Sequence, residues 1–499
     1  MGRPQYHRKP YKHKKSRRKT NKRFPPQCEP KMTFEECELA ILRQAVDENE
    51  KHTKTKIANT AEVKAMIEIV EDFLRKSQCI CYGGTAINNI LPEEAQFYDR
   101  NLEIPDYDFF SKTPVEHAKQ LADIFHEKGY TEVEAKAGVH YGTYKVYVNF
   151  IPMADITLLH KELFSSLHKD AIQIDGIHYT PPNYLRMSMF LELSRPQGDV
   201  SRWEKVLKRL TLLNKYYPLK VDHCGQIDFQ RSLDQSPEDS NRLYCTIRDS
   251  FIDQRVVFFG GYATSLYSQY MPVKLQRIIR SIPDFDVLST NPDRCANLVV
   301  QRLEKNGFKK CKVVRHQSIG EVIPTHYEIL VGPDTLAFVY EPLACHNYNE
   351  IVIKKKTIRV ATIDTILSFY LAFLYADMNY FSYYKDRLLC MSQYLFQVEQ
   401  ENRLAQKGLL QRFTMKCYGV QPTLETIRAK KTEMFETLRN KKSNDPVKES
   451  WFLKYNPVSS SKENETITST APPKKKNTKV SKKTRKKKKT KKSKQEFLF

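Results

Sequence analysis

The chain reads as an α+β protein in which one fold occurs twice. Three observations predict this. A short apolar stretch, a diglycine and a helical pattern occur at 79–88 and again at 256–264. An Asp-x-Asp stretch follows each, at 104–110 and at 282–287. The offset between the copies stays between 177 and 181 residues over four landmarks: the glycines, the aspartates, the helices ending at Gly129 and Gly307, and the segments 177–195 and 358–376. Such a period is far too long for a solenoid, so it marks two domains of one architecture, each a mixed sheet with flanking helices.

Taken in order, residues 1–30 are a basic arm without apolar periodicity. Residues 31–77 read as helical, with Val63, Met66, Ile67, Val70, Phe73 and Leu74 at helical spacing and a polar break at 51–56. The first domain is expected over 78–200. Its helix at 113–130 stops at Gly129, and strands are expected over 146–150 and 153–159. Pro181 and Pro182 open a further helix. A basic helix at 201–217 begins the connector 201–245, and the second domain follows over 246–355. Residues 356–455 read as helical. The aromatics of 370–384 read as core rather than as base-stacking groups, and 456–499 as a disordered Lys-rich tail.

The chemistry concentrates at 79–110. Gly83 and Gly84 let backbone approach a ligand closely, and the helix behind them presents free N–H groups, which suits a phosphate. Along a strand, Asp106 and Asp108 fall on one face. Two carboxylates 4 Å apart repel by roughly 4 kcal/mol at an effective dielectric of about 20, so the pair calls for a cation. Asp155 is a lone acid in the apolar run 151–159, costly unless paired or metal-bound. Phosphate cradle and carboxylates together indicate metal-assisted phosphoryl or nucleotidyl transfer. Lys205, Lys208 and Arg209 present charge to a triphosphate or RNA; the plain alternative is a solvated helix face.

These residues resemble the nucleotidyltransferase superfamily of the DNA polymerase beta type: a strand, Gly-Gly, Asp-x-Asp, then a third carboxylate. The gap from Gly84 to Asp106 exceeds that of most members. With Tyr-Gly-Gly-Thr-Ala-Ile-Asn at 82–88 and Pro-Asp-Tyr-Asp-Phe-Phe at 105–110, the chain looks more like the poly(A) polymerase catalytic subunits of large cytoplasmic DNA viruses, the mimivirus type above all and the poxvirus type distantly, over about 32–455. The resemblance implies transfer of AMP from ATP to RNA 3′ ends. It implies Mg²⁺ or Mn²⁺ held by Asp106, Asp108 and Asp155, and phosphates held by Gly83, Gly84 and Thr85, with Lys205 expected beside them from the charge of its helix. It also implies cytoplasmic work in a viral factory, with packaging in the virion, and a homodimer is an expectation beside it. Two rivals stand: a terminal transferase of other nucleotide specificity, and a catalytically silent RNA-binding scaffold.

In the second copy Leu336-Ala337-Phe338 stands where the first has Met153-Ala154-Asp155, so the third carboxylate is missing and a degenerate module is expected. The net charge of +24 resides in the tails: 25 of the 82 Lys and Arg, and no acid, fall in 1–23 and 474–494. The body then holds 57 basic against 58 acidic residues, so tail binding to RNA would be strongly salt-dependent. No apolar run reaches membrane-span length and no secretory signal is read. Eleven cysteines without finger or framework spacing suggest reduced thiols.

Overall fold

A computed structural model describes residues 28–29, 31–58, 60–99, 104–227, 236–279, 284–376 and 385–457. Residues 1–27 of the basic arm, residues 458–499 of the Lys-rich tail and the aromatics Tyr380, Phe381, Tyr383 and Tyr384 lie outside the described residues.

Two eight-stranded mixed sheets organise the chain. The first is built from β1 (Ile80–Tyr82), β2 (Tyr107–Ser111), β3 (Val133–Ala137), β4 (Thr143–Val148), β5 (Ile151–Leu158), β6 (Ile172–Ile174) and β7 (Ile177–Tyr179). The second uses β8 (Val257–Phe258), β9 (Phe285–Leu288), β10 (Cys311–His316), β11 (His326–Val331), β12 (Asp334–Tyr340), β13 (His346–Ile353) and β14 (Lys356–Ala361). Two late strands, β15 (Cys417–Tyr418) and β16 (Lys454–Tyr455), add one edge to each. The orders are β16-β3-β4-β5-β2-β1-β7-β6 and β10-β11-β12-β9-β8-β14-β13-β15. Without the late strands the two orders are the same. The parallel pairs correspond as well: β2 with β5 and β1 with β7, against β9 with β12 and β8 with β14. The duplication is therefore one of topology as well as of motif.

Each sheet is preceded by a 17-residue helix, Ala61–Ser77 and Pro237–Asp253, started by the side chains of Thr60 and Ser236. The second copy thus starts earlier than residue 246. Its sheet extends past 355 through β14 and β15, and β16 returns from the far end of the chain to β3. The core runs through both halves. Phe109, Phe125, Phe190, Phe251, Phe258 and Phe259 are fully buried. Tyr370, Phe373 and Tyr375 are buried as expected for core.

Three expectations are corrected. The polar stretch 51–56 does not break the first helix, which runs Phe34–Ala58; Lys, His and Thr weaken a helix without ending it, and the Thr60 cap starts the next one. The strand expected to end at Phe150 ends at Val148, because Asn149 and Phe150 both take positive φ, 50° and 65°. Two such residues make the tight hairpin turn that matches strand twist, and Phe150 is left 83% exposed. Finally, six of the eleven cysteines are disulfide-bonded rather than reduced: Cys28–Cys37, Cys224–Cys390 and Cys345–Cys417. Partners 166 and 72 residues apart leave no spacing signature, since the fold alone brings them together. Cys79 and Cys81 are free and buried.

Candidate active site

The diglycine sits where β1 meets the helix Gly83–Ile90. Gly83 takes φ +73°, and a Cβ there would lie 2.9 Å from Asp108 Oδ2. A Cβ on Gly84 would lie 2.7 Å from Tyr98 Oη and 2.9 Å from Arg209 Nη2. Gly83 is required by its backbone conformation and by the Asp108 carboxylate beside it, while Gly84 lets the Tyr98 hydroxyl and the Arg209 guanidinium approach the backbone closely.

Asp108 stands on β2 between the buried Tyr107 and Phe109. Its register partner on β5 is Asp155, and the partner of Asp155 on β4 is Lys145. Lys145 Nζ pairs with Asp155 Oδ2. Asp106 lies just outside β2 and is exposed; the Asp108 N–H donates to its carbonyl at 3.1 Å. Burial pushes the Asp108 carboxyl up to about 7, the charges of Asp106 and Asp155 push the same way, and Lys145 and Arg202 oppose them. Burial alone would lower Lys145, but its bond to Asp155 holds it above the usual lysine range. Tyr82 is raised by burial and by Asp108; its ring stacks on Phe110 at 4.0 Å and its hydroxyl meets Thr157 Oγ1 at 3.0 Å.

The Thr85 hydroxyl is buried and donates to the Asp106 carbonyl at 2.6 Å. It ties the first helical turn to the lead-in of β2. Asn88 accepts from the N–H groups of Phe97 and Tyr98, both at 2.8 Å, and so sets the loop that carries the Tyr98 hydroxyl. Arg209 lies over both rings, 5.1 Å from the Phe97 centroid and 5.5 Å from that of Tyr98, and donates to Tyr98 Oη. Lys205, one turn earlier on the helix Trp203–Tyr216, is exposed. Arg209, then, is the basic side chain set against Gly84.

Sequence reasoning grouped Arg209 with its neighbours and passed over Lys145. The alternation of 143–148 holds a signal for the latter: Tyr144, Val146 and Val148 are buried, which sends Lys145 to the other side of the strand.

A divalent cation is the group this acid set implies. Among the described residues no three His, Cys, Asp or Glu side chains are gathered in the geometry of a metal site. The donors nevertheless fit one in kind. They are carboxylate oxygens, the hard donors that magnesium and manganese take. Burial, and then the charges of Asp106 and Asp155, make Asp108 resist ionisation, a resistance a bound cation would relieve, and an ammonium already sits on Asp155.

The second copy keeps the frame and changes the contents. Phe338 on β12 is the register partner of Asp286 on β9, the place Asp155 has beside Asp108. A Cβ on Gly260 or Gly261 would lie 2.0 Å from a carboxylate oxygen of Asp286 or Asp284 respectively. Arg387 approaches Asp284 at 3.7 Å.

Residues 68–199 match the family described as poly(A) polymerase catalytic subunit. A protein provisionally named poly(A) polymerase catalytic subunit, from Acanthamoeba polyphaga mimivirus, is 34% identical over 257 residues, 46% of this chain and 42% of that protein. A protein of the same provisional name from African swine fever virus is 34% identical over 170 residues, 33% of this chain and 35% of its own. The chain thus spans under half the length of the curated relatives it matches. The crystal structure of the Megavirus polyadenylate synthase shares the fold with a TM-score of 0.70 at 20% identity, over 92% of this chain and 88% of that one. By sequence over residues 68–199 the chain is similar to the poly(A) polymerase catalytic subunit family, and over most of its length it shares the fold of the Megavirus polyadenylate synthase.

Proposed function

We propose that the chain is a polynucleotide adenylyltransferase that extends RNA 3′ ends with AMP from ATP, as in mRNA polyadenylation. The observation that carries this is the register of Asp108 beside Asp155, with the diglycine turn closed against Asp108. The RNA 3′ oxygen bonds to the α-phosphorus, the bond to pyrophosphate breaks, and the hydroxyl gives up its proton. Asp106, Asp108 and Asp155 would hold Mg²⁺ or Mn²⁺, which supplies charge neutralisation for the attacking oxygen and the departing pyrophosphate. Backbone N–H groups at Gly83 and Gly84 face the phosphates, with Arg209 across from them as a planar cation. Thr85 acts by holding the Asp106 carbonyl. Lys205, exposed one helical turn before Arg209, would meet the phosphates from further out. Lys145 neutralises Asp155 until substrate and ions arrive. Catalysis of this kind is positioning and charge stabilisation.

Among the described residues no helix is long and apolar enough to cross a membrane. The assembly we expect is a homodimer working in a cytoplasmic viral factory.

The test is extension of a short labelled RNA with each nucleoside triphosphate and Mg²⁺ or Mn²⁺, wild type beside Asp106→Ala. Extension by ATP alone, lost in the variant, supports the proposal. Extension by another nucleotide keeps the chemistry and discards the adenosine. RNA bound without extension under any metal favours the silent scaffold.

A further inference from the structure

The β3–β4 hairpin tip and the end of the described chain build a second surface at the rim of the first sheet. Residues 138–142 form the tip, where Val139 and Tyr141 are 43% and 44% exposed. The returning chain is pinned there from several sides. Lys431 Nζ donates to the Gly138 carbonyl at 2.6 Å, and the Tyr144 hydroxyl donates to the Ser450 carbonyl at 2.7 Å. Lys119 pairs with Glu449 at 2.7 Å, the Ala137 N–H donates to the Leu453 carbonyl at 2.9 Å, and β16 extends the sheet beside β3. Between those anchors Trp451 lies against Tyr141, ring centres 4.4 Å apart, and Lys430 Nζ lies 5.9 Å from the indole centre.

Five anchors hold the segment that carries one half-buried indole. Their result is a fixed pair of aromatic rings, partly open to water, with a lysine beside it. Aromatic faces and adjacent positive charge are what unpaired bases and their phosphates bind. The position agrees. The Gly142 carbonyl accepts from the Leu158 N–H at 2.8 Å, and Leu158 lies three residues beyond Asp155 on β5, about 10 Å at the usual strand rise.

We propose that Tyr141, Trp451 and Lys430 form a stacking site for unpaired RNA bases upstream of the reacting 3′ end. The proposal rests on the reading of the site as one that extends RNA. It favours single-stranded RNA over a protein partner because Lys430 lies against the indole and Lys431 is held at the hairpin tip, while Glu436 of the same helix is neutralised by Arg439 at 3.1 Å.

The chain has two tryptophans, Trp203 and Trp451, so base stacking can be read directly. A short unstructured RNA is titrated into the full chain without nucleotide, following tryptophan fluorescence in wild type, Trp203→Phe and Trp451→Phe. We expect quenching in wild type and Trp203→Phe and none in Trp451→Phe. We expect Tyr141→Ala to weaken RNA binding about 5- to 150-fold, the equivalent of roughly 1–3 kcal/mol per stacked base. Unchanged melting of the variants shows that the fold is kept. Quenching that persists in Trp451→Phe, wild-type affinity in Tyr141→Ala, or equal quenching by a duplex overturns the proposal. Quenching as expected in a protein that extends no RNA upholds the stacking site and removes the catalytic reading instead.

Discussion

Asp155 and Phe338 hold one position in two sheets, each paired in register with the second aspartate of an Asp-x-Asp stretch, Asp108 for the first and Asp286 for the second. A phenyl ring at that point offers no ligand. We therefore expect Asp155→Ala to lower kcat by at least about 100-fold, in line with loss of a group that organises transition-state charge, with RNA binding kept. Asp284→Ala should leave turnover within about threefold. Single-turnover AMP incorporation checks both, and loss of turnover in a folded Asp284→Ala protein would move the active site to the second copy.

Arg209 and Lys205 are one helical turn apart, yet only the former reaches Gly84. Arg209→Ala should raise the KM for ATP at least about tenfold, the size of one charge-assisted contact. Lys205→Ala should raise it less than about threefold. Initial rates over a range of ATP concentration separate the two.

The sign of the Asp108 effect reverses with metal. Its carboxyl, raised to about 7 by burial, keeps its proton in the folded protein when the unfolded chain has already lost it. Stability therefore falls as pH rises from about 4 to about 7, and the penalty is complete above that. In chelator at pH 8, Asp108→Asn should melt higher than wild type, and at pH 4 the two should agree. Adding Mn²⁺ at pH 8 should raise wild type and leave the variant unmoved. Thermal melts under the three conditions test this, and an equal rise in both proteins would remove Asp108 from the ligand set.

Two buried histidines predict acid sensitivity elsewhere. Burial lowers His326 to about 4 and His346 to about 3; the charges of His316 and of Arg195 respectively add to the shift. Both stay neutral in the fold while the unfolded chain takes up protons near 6.5, so their stability is present above that pH and is lost as pH falls toward 4. His346→Phe should flatten the fall in melting temperature between pH 6.5 and 4. An unchanged slope would place the acid sensitivity in other groups.

The candidate site was legible in sequence as far as local pattern reaches. Gly83, Asp108 and Asp155 each break a run of apolar residues, and the physical penalty of that break is what marks them. Lys145 was harder to see because a lysine on an alternating strand reads as solvent-facing, and only its partner across β4 and β5 gives it a task. Thr85 was readable as a small polar residue after glycine, yet its hydroxyl faces backbone. Arg209 could not be separated from Lys205 or Lys208, since a helix face reports orientation but not what stands opposite.

The residue order alone determined the duplication, the strand–glycine–helix motif, the acid pair and the loss of the third acid in the second copy. These are repeats and periodicities, and they need no partner to be read. Tertiary structure decided which base covers Gly84, which ammonium meets Asp155, where six cysteines find one another and that β15 and β16 close the sheet edges. Each of these joins residues tens or hundreds of positions apart. Such pairings arise from packing two faces together, and no local pattern in either segment encodes the other.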